Sequence, residues 1–199
     1  MEGFFLFCIF ISKTKILKNP KGLYLIAILP PQEIRDDIKD FKEEIKSEFH
    51  VSHALKLPAH ITLQRPFWVR SENEKVLISN LANFAASQSS FQIELNGFDT
   101  FSPRVVFVKI SNHQQLIALQ NELQNILTLD FFLSPVQKQK EIHPHITLAT
   151  RDLKQEIFPE VWSHFKTRFY QKVFQVHSIV LFKHDGKRWH KWSEFFFNR

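Results

Sequence analysis

The chain has 199 residues, a formal net charge of +6, 44% hydrophobic and 23% charged residues, a balance that sets aside a disordered or fibrous chain. That length suits one compact domain or two small lobes sharing an interface. The single cysteine, Cys8, excludes an internal disulfide and a cysteine-based zinc site, and fits a reducing, cytoplasmic setting.

Residues 1–20 read as an appendage to a single domain over residues 21–199. Phe4–Ile11 is an unbroken apolar run followed by the basic segment Lys13–Lys18. The run is too short to span a bilayer, and Glu2 sits where a signal peptide needs positive charge. An extra edge strand or a misassigned translation start is expected there, with no stable membrane association. Leu23–Leu29 predicts a buried strand ended by Pro30-Pro31. Gln32–Phe49 carries Ile34, Ile38, Phe41, Ile45 and Phe49 on one helical face. His50–Pro58 is a loop leading into a strand over Ala59–Trp68. Ser71–Glu74 starts a helix with an acidic first turn that continues through Val76–Ser87.

Phe91–Phe101 and Val105–Ile110 predict a hairpin turning at Ser102-Pro103-Arg104. A helix over His113–Leu129 and an irregular stretch over Asp130–Glu141 precede a further strand at His145–Ala149. Leu153–Lys166 reads as helical with Pro159 at a break or first turn. Val173–Phe182 and Arg188–Phe197 pair across the Asp185-Gly186 turn. The order is β-α-β-α-β-β-α-β-α-β-β, and the half beginning at Val105 echoes the first. A bilobal, pseudo-twofold α+β fold follows, with mainly antiparallel sheets and a cleft between the lobes.

His60-Ile61-Thr62-Leu63 and His145-Ile146-Thr147-Leu148 are the same four residues, 85 positions apart. In a strand, His and Thr share one face while Ile and Leu take the other. Two such strands facing one another set two imidazoles and two hydroxyls around one cleft. Imidazoles near pH 6.5 can hold opposite protonation states, one taking a proton from water and one giving a proton to a leaving oxygen. Thr62 and Thr147 can donate to the oxygens of a phosphate. Strand parity extends the second face through Ala149 to Arg151, a fixed cation, whereas Arg65 points away on the first.

His143 and His145 share parity, but Pro144 and the lack of a carboxylate or cysteine cluster speak against a metal pair. His50, His53, His113, His164, His177, His184 and His190 read as solvated or locally hydrogen-bonded. Trp189 and Trp192 read as core, and Arg104 as a turn charge.

Paired His-x-Thr motifs at this separation resemble the 2H phosphoesterases, and within them the 2′-5′ RNA ligase superfamily. The resemblance spans Leu23 to Phe197. It includes the opening Leu23–Pro31 stretch, Pro58–Leu63, Gly97-Phe98 with Phe101, Val105–Val108, Pro144–Ala149 and the closing strand with Trp189. It implies a bilobal fold with a basic groove, and metal-independent chemistry on 2′,3′-cyclic phosphates or 2′-5′ linkages without a cofactor. It implies His60 and His145 as acid and base, and Thr62 and Thr147 as phosphate binders. RNA ends or small nucleotides are the implied partners of a monomer, and some members also run the reverse, ligating reaction. Several relatives carry a basic residue two positions after the second Leu, where this chain has Thr150 followed by Arg151. An RNA-end binding module with the same cleft and little turnover is the alternative expectation.

Overall fold

The computed structural model describes residues 20–129, 132 and 143–198. Apart from Pro20 and Phe132, the appendage expected over 1–20 and the irregular stretch over 130–141 lie outside the described residues. In chain order the elements are β1 (Lys21–Ile28), α1 (Gln32–Phe49), β2 (Ile61–Arg70), α2 (Glu74–Ala86), β3 (Phe91–Phe101), β4 (Val105–Ile110), α3 (Gln114–Leu129), β5 (His145–Ala149), α4 (Phe158–Phe165), β6 (Gln171–Val176), β7 (Ser178–His184) and β8 (Trp189–Phe196). The strands form two four-stranded antiparallel sheets, ordered β2-β1-β7-β8 and β5-β4-β3-β6.

The apolar run of β1 is buried from Tyr24 to Ile28, and β1 is accordingly an interior strand with neighbours on both edges. α1 buries Ile34, Ile38 and Ile45 at helical spacing, with Lys42 among them. Pro159 falls in the first turn of α4, where a missing N–H leaves no helical hydrogen bond unmade.

One expected strand is two. The stretch read as Val173–Phe182 breaks at His177 into β6 and β7, which belong to different sheets. Burial explains the break: β6 alternates as an edge strand with one face in solvent, while β7 is buried throughout Ser178–Phe182 as an interior strand. The apolar sequence continues across the junction, so the crossing leaves no gap in hydrophobicity to read.

The two halves exchange strands. β1-α1-β2 and β4-α3-β5 are the corresponding units, each ending in a His-Ile-Thr-Leu strand at the edge of its sheet. The next strand of the first half, β3, pairs with β4 in the second sheet, and β7 pairs with β1 in the first. α1 packs against β5 and α3 against β2, so each helix bridges to the other half's motif strand. Ile61, Leu63, Ile146 and Leu148 are all buried in one continuous core. Their burial turns the intervening threonines toward the cleft.

Candidate active site

His60 immediately precedes β2, and His145 opens β5. His60 Nδ1 lies 2.8 Å from the Pro58 carbonyl oxygen, and His145 Nδ1 lies 2.6 Å from that of His143. A carbonyl oxygen only accepts, so each Nδ1 carries the hydrogen and each neutral ring keeps Nε2 as its free base. The repeated sequence therefore builds a repeated tautomer. The surroundings differ. Burial, followed by the positive charge of Lys42 and of His145, pushes His60 down to about 4, against the opposing bond to Pro58. His145 is also held below the usual imidazole range by burial, with His143 and Arg65 adding to it and the carbonyl bond opposing. The Phe101 ring stands edge-on to His145 at 5.0 Å, and Phe107 lies 4.9 Å away.

Both motif strands bulge at the same place. Thr62 pairs with Ala27 and Gln64 with Ile26, leaving Leu63 as an extra residue. Thr147 pairs with Phe107 and Ala149 with Val106, leaving Leu148 extra. Consecutive residues are buried at each bulge, Leu63 with Gln64 and Leu148 with Ala149. Parity just after each bulge is therefore reversed, and in β2 a second register shift restores it at Phe67. Gln64 turns into the core, where Gln124 donates to its amide oxygen. Arg65, expected to point away, lines the cavity with His60 and Thr62. Ala149 leaves the face it was expected to share with His145 and Thr147. Thr150 lines the cavity in the position corresponding to Arg65. Arg151 also lines it, with its backbone at φ 54, and lies near His53.

The cavity has a volume of about 1030 Å³ and brings together His60, Thr62, Thr147 and Arg151 of the expected site. His145 is not among the residues that line it, although its charge, when the ring is protonated, lowers the proton affinity of His60. One wall is the short 3₁₀ turn His53–Lys56, held from both sides. Asp152 Oδ2 accepts the backbone N–H groups of Ser52 and His53, each at 2.8 Å. Lys42 Nζ donates to the carbonyls of Ala54 at 3.0 Å and Leu57 at 3.2 Å. Lys42 is only 4% exposed, and burial pulls its ammonium down to about 8.

His53, His184 and Trp189 also line the cavity, which sequence reasoning missed. Trp189 had read as core, yet it is half-buried on the cavity side. No periodicity marks these residues, because the loops that carry them meet only in three dimensions. Lys56, Arg65, Arg151, Lys187 and Arg188 make no ion pair among the described residues. The cavity is thus a strongly positive concavity suited to an anion.

A family model described as "2'-5' RNA ligase superfamily" matches residues 30–188. The chain is 27% identical over 177 residues to "Putative phosphoesterase GK0864" of Geobacillus kaustophilus, covering 86% of this chain and 94% of that protein. A crystal structure of TT0787 of Thermus thermophilus superposes with a TM-score of 0.63 at 19% identity, over 87% of this chain and 97% of the other. Escherichia coli LigT complexed with 3′-AMP superposes with a TM-score of 0.65 at 20% identity, over 90% of this chain and 100% of LigT. These two structures share the bilobal fold.

Proposed function

The chain belongs to the 2′-5′ RNA ligase superfamily, and from that premise we propose that it hydrolyses RNA 2′,3′-cyclic phosphates without a metal, by acid–base catalysis between His60 and His145. The observation that carries the reading is the pair of Nδ1 bonds to backbone carbonyls, which leaves two Nε2 atoms for the reaction. In the reaction, one neutral imidazole takes a proton from water as the water oxygen bonds to phosphorus. The bond from phosphorus to the 2′ or 3′ oxygen breaks, and the other imidazole, protonated, gives that oxygen its proton. Thr62 and Thr147 donate to the non-bridging oxygens, and Arg65 and Arg151 offset their charge.

Burial lowers the proton affinity of both imidazoles, and the orientation of the substrate between them sets which acts as base and which as acid. A bound phosphate dispels part of the mutual repulsion and raises the proton affinity of the acid. Crystal structures of LigT hold 3′-AMP and phosphate, ligands of the kind this site would release or hold. The test is turnover of adenosine 2′,3′-cyclic phosphate by EDTA-treated protein, with the product identified as the 2′- or 3′-phosphate. A single monophosphate isomer is expected. Turnover that returns only when metal is added would overturn the mechanism. Nucleotide binding with no turnover would favour the RNA-end binding module instead.

A further inference from the structure

We propose that the far end of the cavity, formed by His184, Lys187, Arg188 and Trp189, is a second nucleotide subsite, so that the ligand is the end of a single-stranded oligoribonucleotide rather than a mononucleotide. The inference rests on the phosphoesterase reading for the position of the reacting phosphate. From that position the first sheet provides a track. Phe182 of β7 lies beside His60, with ring centroids 6.4 Å apart. His184 is two residues further along the same strand face, about 7 Å by strand geometry. Trp189 is its register partner on β8, with the two rings 5.0 Å apart. Leu25, the register partner of Phe182, lines the cavity between them. Leu57 and Trp189 pack on the small apolar cluster of Leu25, Ala27, Val180 and Phe182. An apolar floor thus runs from His60 to an aromatic end, the surface on which a base stacks.

The charge at that end is arranged for a second phosphate. Asp185 Oδ1 accepts the backbone N–H groups of Lys187 and Arg188, each at 2.7 Å, and Gly186 turns the chain at φ 99. Asp185 Oδ2 pairs with His190 at 2.7 Å. The only carboxylate of the turn is therefore engaged with its own backbone and with His190. The Lys187 and Arg188 side chains line the cavity and make no ion pair among the described residues. A mononucleoside cyclic phosphate held between the two histidines carries no further phosphate to meet them. An oligoribonucleotide does.

Isothermal titration with 3′-AMP and with the dinucleotide ApA bearing a 3′-phosphate tests this without requiring turnover. The dinucleotide should bind about tenfold tighter or more, by the stacking of one added base and the contact of one added phosphate. The log–log salt slope should be steeper for the dinucleotide by roughly 0.7. Arg188→Ala, at an exposed position, should bring the affinity ratio to within about threefold. Trp189→Leu, checked for an unchanged fold, should lower the ratio too. Equal affinities in the wild type, or a ratio that Arg188→Ala leaves unchanged, would overturn the subsite. A dinucleotide preference in protein that fails to open ApA 2′,3′-cyclic phosphate would refute the catalytic reading and leave the subsite standing.

Discussion

His60 and His145 make the same hydrogen bond, but His60 sits near buried Lys42 and His145 beside Arg65 and two phenylalanine rings. The difference has a consequence for stability. Folding lowers the pKa of His60 from 6.5 to about 4, so the unfolded chain binds its proton more tightly. The contribution is complete above pH 6.5 and is lost as pH falls toward 4, a loss of at most about 3 kcal/mol. Urea unfolding across that window should show a slope against pH that is smaller for His60→Ala than for wild type by about one proton's worth. Identical slopes would place the proton elsewhere. Arg65→Ala removes a cation from the cavity and should lower kcat/KM by about tenfold or more. An unchanged kcat/KM would show that Arg65 takes no part in holding the phosphate. The four motif residues were legible because the chain writes them twice. Arg65 was not, because the extra residue Leu63 shifts the strand's alternation, which a second register shift restores only at Phe67. Lys42 was hidden as well: a charged residue on an amphipathic helix reads as solvated until the 53–57 turn is seen to cover it.

At the level of elements, the site depends on how the motif strands are entered and left. The Leu63 and Leu148 bulges turn Arg65 and Thr150 inward. The 3₁₀ turn ahead of His60 is fastened by Asp152, whose loop follows the other motif strand. That contact couples the two motif loops across the cavity. Asp152→Ala should therefore speed amide exchange at Ser52 and His53 by about tenfold, with little change in exchange within β1. Unchanged exchange at those amides would show that the turn holds without the carboxylate. α1, the two hairpins and the Asp185-Gly186 turn were readable from periodicity and turn residues. The β6–β7 crossing was not, because the sheet to which a strand belongs is a long-range property that local β-propensity does not encode.

For the whole molecule, strand exchange between halves and one continuous core make independent unfolding of the lobes costly. Thermal unfolding followed by aromatic circular dichroism and by tryptophan fluorescence should give coincident single transitions. Two separated transitions would mean that the halves fold as separate units. The pseudo-twofold order was visible in the sequence as a repeated pattern of elements, but the exchange was not, since either partner for β3 and β7 satisfies the same pattern. The same architecture carries the functional claim, because it brings two distant copies of one motif to a single phosphate. The measurement that tests this most directly is single-turnover hydrolysis of adenosine 2′,3′-cyclic phosphate in EDTA by wild type, His60→Ala, His145→Ala and the double variant. Each single variant should lose about 10²–10⁴ in rate, and the double variant should be scarcely slower, as for groups acting as one unit. A single variant that keeps wild-type turnover would contradict the two-histidine account.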